Sequence, residues 1–387
     1  MSEKITLYPS NWLYNAGVIG FLRVLEKINY KEYEFNENGF IEIKKDGLNS
    51  DKIFIKWDDL TKEKINESYK GKSGGTKNWY YANQTEKRIK EKIEALLGKK
   101  ESPRKSPKKG KGFYLSCSIC GDSEITNKSS LNKKALTQAY GNILLASAKT
   151  FPNSYWMLKS REFVCSKCEF ILMCHHIPFI TIEEEKKEKK RKKEEKEEIF
   201  INAPDFKLIW DLNKFAEEVL QKSKEYEIRK ILGSSLLQWA IKRRALLGAW
   251  TMMNIEVIVK RRVKKDNKFE DIIDYFDLPQ DITKILLDYE IADLIKRIDE
   301  EKIFDLILAG KFSELEKANY FVLKTILKLK DKKEKLKDKK EISENDPITK
   351  YFTITKYNDL DYLKNYLKKV SGILPELYVK ILEKIRR

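Results

Sequence analysis

Histidine, cysteine and long apolar runs are scarce in this chain, and each scarcity removes a class of function. Its 387 residues hold two histidines, the adjacent pair His175 and His176. Histidine-dependent nucleases, Ser-His-Asp hydrolases and zinc deaminases all need an imidazole set against other catalytic groups. Two neighbouring imidazoles offer little of that, and packing near a metal or at the surface is the expected role. The five cysteines include two C-x-x-C pairs, Cys117/Cys120 and Cys165/Cys168. That pattern points to metal binding in a reducing compartment rather than to a disulfide framework. The fifth, Cys174, is expected to be a small buried hydrophobe. No run of about 18 apolar residues could cross a membrane. Glu3 and the glycine-broken stretch Trp12 to Leu22 do not read as a secretory signal. A cytoplasmic protein with no membrane partner is the expectation. No G-x-x-x-x-G-K-[ST] and no strand-borne G-x-G-x-x-G occurs, so the usual phosphate cradles for ATP and dinucleotides are missing.

What is present suffices for two or three domains with true cores, since 41% of residues are hydrophobic and 11% aromatic. Lys and Arg outnumber Asp and Glu by 78 to 60, giving a formal charge of +18 and a pI near 9.3. A polyanion is the natural partner for such a surface. Lysine excess also accompanies AT-rich coding or growth at high temperature, so the placement of charge carries more weight than its total.

Apolar residues recur at three- and four-residue steps from Trp12 to Ile28, which predicts an amphipathic helix capped by Ser10 or Asn11. Tyr33 to Phe35 and Phe40 to Ile43 alternate around Asn38-Gly39, a hairpin signal, and Ile53 to Trp57 reads as another strand. A glycine-rich basic loop spans residues 70–78, and the stretch 99–111 carries seven basic residues against Glu101 with two prolines, as a flexible arm would. A helix is expected at residues 135–148. Residues 183–198 are charged at every position, eight acidic and eight basic, and read as a solvated helix or connector. After Asn202 the periodicity is helical throughout. The fold class is therefore expected to be α+β. An N-terminal α/β domain spans residues 1–112 and a zinc-ribbon-like four-cysteine subdomain residues 113–180. A charged linker at 181–201 leads to a C-terminal helical bundle at 202–387.

Two cysteines two residues apart can bite one cation, and Gly121 permits the tight turn beneath the first pair. Four thiolates would close a tetrahedron around a structural Zn2+ with no open position for chemistry. Such a site can contribute on the order of 10 kcal/mol to folding at neutral pH. The spacing alone leaves an iron–sulfur cluster or a redox dithiol open. For nucleic acid, the candidates are Lys72, Gly74, Gly75, Lys77 and Asn78 in the loop, and Arg104, Lys105, Lys108 and Lys109 in the arm. Two arginine pairs, Arg243-Arg244 and Arg261-Arg262, are expected on one face of the bundle, where guanidinium forks could track phosphates. Glycines let the backbone approach a groove closely. The lysine-rich stretch 324–340 is a weaker candidate.

The segment Asn11 to Glu26, NWLYNAGVIGFLRVLE, together with the two distant C-x-x-C pairs, resembles the large subunit of type I-B CRISPR surveillance complexes, the CXXC–CXXC family. The resemblance covers residues 1 to about 175. It implies a non-catalytic subunit of a Cascade complex that touches the guide RNA end and recognises the protospacer-adjacent motif in double-stranded DNA. Guide pairing then reads the rest of the target. It also implies contacts with the other Cascade subunits and recruitment of a helicase-nuclease for antiviral defence. Systems of this type are thought to make a small subunit from an internal start, for which Met252 or Met253 is the candidate. Competing readings are a metal-dependent nuclease built on carboxylates and a stand-alone zinc-ribbon regulator.

Overall fold

The computed structural model describes residues 3–69, 85–98, 113–126, 164–182, 197–222, 228–243, 255–265, 268–332, 346–353 and 360–386. The glycine-rich loop, the basic arm, the 135–148 stretch, Arg244 and the Met252/Met253 pair lie outside these residues.

Asn11 accepts a hydrogen bond from the Tyr14 amide at 3.0 Å and so starts helix α1, Trp12–Lys27. The helix departs from the amphipathic expectation: every residue from Trp12 to Leu22 is buried, Gly17 and Gly20 included. Strands β1 (Lys4–Leu7), β2 (Tyr33–Phe35) and β3 (Ile41–Lys44) form an antiparallel sheet in the order β1-β3-β2. The expected hairpin is there, turning at Gly39 with φ +84°. The strand expected at Ile53 to Trp57 is instead part of helix α2, Ser50–Tyr69. Asn49 caps it by accepting from the Asp51 and Lys52 amides at 2.9 and 3.1 Å. Ile53 and Trp57, one helical turn apart, are buried, while Ile55 between them is 53% exposed. The β-branched run imitates a strand, but the burial follows a period of 3.6.

Helix α3 is Glu86–Leu96, β4 Phe113–Ser116, β5 Ser123–Thr126 and α4 Ser166–Met173. Strands β6 (Ile180–Ile182), β7 (Glu197–Asn202), β8 (Glu256–Lys265) and β9 (Lys268–Asp277) form a sheet in that order. Ile199, Phe200 and Ile201 of β7 and Val257, Ile258 and Val259 of β8 are all fully buried, so both faces of the sheet are covered here. Glu197 and Glu198, placed in the solvated run from sequence, belong to β7. Glu198 is buried and pairs with Lys260 of β8 at 2.9 Å.

The remaining helices are α5 (Phe206–Lys222), α6 (Ile228–Arg243), α7 (Gln280–Leu286), α8 (Tyr289–Ile298), α9 (Glu301–Leu308), α10 (Ser313–Lys332) and α11 (Leu360–Arg386). Two compact units result: Met1–Asn213 with Glu256–Tyr275, and Lys214–Ile255 with Phe276–Arg387. This partition departs from the linear one read from the sequence. The stretch after Asn202 is not helical throughout, because β8 and β9 interrupt it and their residues Glu256–Tyr275 count with the first unit. The helical unit is held by apolar contact of α6 with α7, α8 and α9, and of α11 with α8 and α10. Its buried side chains include Leu236, Ile285, Ile298, Ile307, Val322, Leu367 and Leu374. Each contributes about 2 kcal/mol by leaving water.

Candidate metal centre

The first cysteine pair sits in the turn of a two-stranded hairpin. Strands β4 and β5 pair from Phe113 with Thr126 to Ser116 with Ser123, which leaves residues 117–122 to form the knuckle. The Cys117 amide donates to the Asp122 carbonyl at 2.8 Å, and the Gly121 amide donates to the Cys117 carbonyl at 2.9 Å. Gly121 has φ +74°, a conformation a side chain would strain, as the C-x-x-C-G pattern implies.

The second pair stands at the start of α4. Cys165 is the residue before the first turn, with extended backbone, and Cys168 lies within the turn. A helix N-terminus presents unpaired amides and a positive dipole end, which favour thiolate. The two pairs converge. All four sulfurs lie within 4.8 Å of one another, Cys120 Sγ is 3.6 Å from Cys165 Sγ, and the Cys165 amide donates to Cys117 Sγ at 3.3 Å. Cys117, Cys165 and Cys168 are buried; Cys120 is exposed. Four thiols this close cannot all ionise unaided. Hydrogen bonds from Cys120, Cys165 and Cys168 pull Cys117 down, while bonds with Cys117 push Cys165 and Cys168 up. A divalent cation among them would resolve the conflict by taking four thiolates. The donor set and spacing therefore fit one structural metal, with three ligands walled off from water.

Helix α1 forms one wall of this centre. Tyr14, 2% exposed, is hydrogen-bonded to Cys168, and burial is the larger of the causes that push its phenol above the ordinary value. Gly17 and Gly20 let the backbone of α4 and the turn after it lie directly on α1. The rings of Phe21 and Phe170 meet edge to face at 5.9 Å, and Trp57 donates its indole N–H to the Met173 carbonyl at 3.4 Å. Lys92 of α3 pairs with Glu169 of α4 at 2.7 Å. Cys174, fully buried, donates to the Phe170 carbonyl at 3.4 Å, in keeping with a packing role.

The two histidines follow α4 in a turn. His175 Nδ1 donates to the Leu172 carbonyl at 2.6 Å, and His176 Nε2 shares a hydrogen bond with the Thr61 hydroxyl at 3.1 Å. Both are buried, and burial pushes His175 down to about 3 and His176 well below its usual value.

Of the expected nucleic-acid residues, Lys72, Gly74, Gly75, Lys77, Asn78, Arg104, Lys105, Lys108, Lys109 and Arg244 lie outside the described residues. The two arginine pairs do not share a face of a helical bundle. Arg243 ends α6 in the helical unit, whereas Arg261 and Arg262 belong to β8 of the first unit. Arg261 is engaged by Asp274 and, at 3.4 Å, by Glu197. The helical periodicity expected after Asn202 passed over Val257, Ile258 and Val259, a β-branched run that lies in β8. It also passed over Tyr14, Gly17 and Gly20 as functional positions. Their spacing along α1, three residues apart, was the available signal. No protein-family model matches the chain, and no curated protein matches it.

Proposed function

We propose that the chain is the non-catalytic large subunit of a type I-B CRISPR surveillance complex, built around a structural zinc. The observation that supports this reading is the meeting of the segments that carry the resemblance. The Asn11 to Glu26 segment and both cysteine pairs are scattered over some 150 residues of sequence, yet Tyr14 touches Cys168 and Gly17 packs on the helix that begins with the second pair. Residues far apart in the chain that make one structural unit are a stronger match than separate motifs. The closed four-sulfur donor set favours zinc over a catalytic metal, because no position is left for substrate.

In this reading the +18 charge serves phosphate contact. The chain binds the guide RNA end and duplex target DNA, recognises the protospacer-adjacent motif, and helps recruit the helicase-nuclease from its place in the cytoplasm. The engagement of both histidines in the interior is consistent with cleavage belonging to that partner. The glycine-rich loop, the basic arm and the arginine pairs remain the proposed contacts, Arg261 only if Asp274 and Glu197 release it.

Co-purification tests the proposal. Tagged chain expressed beside its genomic neighbours should bring down guide RNA and backbone subunits. Magnesium-dependent cleavage by the isolated chain would instead establish the nuclease reading. Mass spectrometry of the same material tests for a product begun at Met252 or Met253. Such a product would carry β8 without β7, its partner over six residue pairs from Glu197–Arg261 to Asn202–Glu256.

A further inference from the structure

Beside the four-cysteine centre lies a cavity of about 500 Å³, within the size range of small-ligand sites. Among the described residues, Lys4, Lys45 and Lys167 line it, with Asp122 as the one carboxylate on the lining. The cavity belongs wholly to the first unit and is walled by β1, α3, the knuckle and α4. Tyr8 stands on its lining with 61% of its surface exposed, leaning on Phe40 at a ring distance of 5.2 Å. Tyr14 and Cys168 border the same space.

Each of the three lysines is held by a carboxylate that a stronger anion would have to displace. Lys4 pairs with Glu42 at 2.6 Å, Lys45 with Glu3 at 2.9 Å, and Lys167 with Asp122. Each of these pairs is open to water, and exposed pairs of this kind are worth about 0–1 kcal/mol. A phosphate, with several acceptor oxygens, can displace such carboxylates at little cost. Gly98, at φ +70°, has no side chain to obstruct Lys45, whose Nζ would lie 2.6 Å from a Cβ there. An exposed aromatic face beside converging cations is the pairing that holds single nucleotides: the base stacks and the phosphate is neutralised.

We propose that this cavity binds one nucleotide unit, with its base on Tyr8 and its phosphate among Lys4, Lys45 and Lys167. The inference deepens the nucleic-acid reading and rests on it for the source of the nucleotide. The unit is either part of a single strand or a free nucleoside monophosphate.

The test is binding of a short fluorescent single-stranded oligonucleotide to the full chain across a salt series, with adenosine monophosphate as competitor. Lys4→Ala, Lys45→Ala and Lys167→Ala should each weaken binding, and the triple variant should lower the log–log salt slope by about 0.7, the loss of one phosphate contact. Tyr8→Ala should weaken it roughly tenfold with the slope unchanged, and Tyr8→Phe should restore it. Competition by the monophosphate supports a site open to free nucleotides; binding without competition, still sensitive to the four alanine variants, supports a strand-only site. Wild-type binding that all four variants leave unchanged overturns the pocket and spares the nucleic-acid reading. A wild-type chain that binds neither probe overturns both.

Discussion

Gly17 of α1 lies against the peptide carbonyl of Ile171 in α4: a Cβ at Gly17 would stand 2.8 Å from the carbonyl carbon and nearer still to its oxygen. Gly20 stands in the same relation to Cys174, whose carbonyl carbon would be 2.9 Å away. Because the obstacle is backbone, a methyl group cannot be accommodated by a rotamer change.

Gly17→Ala and Gly20→Ala should therefore each destabilise the protein by about 1–3 kcal/mol, although alanine favours an isolated helix. Chemical denaturation measures the loss. Since Cys165 and Cys168 stand at the start of α4, both variants should also release metal to a chromogenic chelator faster than wild type. An unchanged midpoint would mean that the two helices are not in backbone contact.

The protein should hold one zinc per chain when purified without chelator. Cys117→Ser or Cys168→Ser should remove it, whereas Cys174→Ser should retain it, since a serine hydroxyl can reach the Phe170 carbonyl as the thiol does. Elemental analysis reads the stoichiometry, and cobalt exchange should produce sulfur-to-metal charge-transfer absorption. Stripping the metal should lower thermal stability, because the knuckle then keeps to α4 only such contacts as the exposed Lys167–Asp122 pair, without four metal–sulfur bonds.

His175 should make the fold acid-sensitive before its carboxylates titrate. Burial holds its folded-state value at about 3, below the unfolded value near 6.5, so the unfolded chain binds the extra proton as pH falls. The stabilisation is complete above about pH 6.5 and is progressively lost below it, by about 2 kcal/mol at pH 5. Denaturation midpoints measured from pH 7.5 to 5 at constant free zinc should show this slope. His175→Asn, which keeps a donor for the Leu172 carbonyl, should make it shallower, with buried His176 supplying the remaining slope; an equally steep slope in the variant would assign the effect elsewhere.

Asn213 is fully buried and bonds the Ile201 amide at 2.9 Å and the Ile201 and Ile209 carbonyls at 2.7 and 2.8 Å. Strand β6 pairs with β7 only as far as Ile199, so this side chain takes over as the partner of the next free backbone edge. Asn213→Leu should cost about 2–4 kcal/mol by orphaning buried backbone groups, read as a lower melting temperature. Asn213→Asp should cost less than that at the Ile201 amide and more at the carbonyls, which lose their donor.

Legibility varied with the range of the interactions involved. The α1 start, the hairpin around Gly39 and the cysteine knuckle were readable because a cap, a positive-φ glycine and a paired ligand spacing are local constraints. The strand expected at Ile53 to Trp57 failed because β-branched residues carry only a weak preference, which the Asn49 cap and the burial of Ile53 and Trp57 one turn apart overrode. The solvated face expected of α1 failed for a different reason: glycines that look like helix weaknesses are contact points for another backbone.

The amino-acid order alone settled the chemistry available: four thiols in two bidentate pairs, two adjacent histidines, and an excess of cationic over anionic side chains. It could not settle which of those groups stand together. Convergence of the thiols within 4.8 Å, burial of both imidazoles, and the grouping of Lys4, Lys45 and Lys167 around one cavity arise from packing between segments far apart in the chain. Such contacts depend on backbone approach and burial, which composition and spacing do not encode one residue at a time.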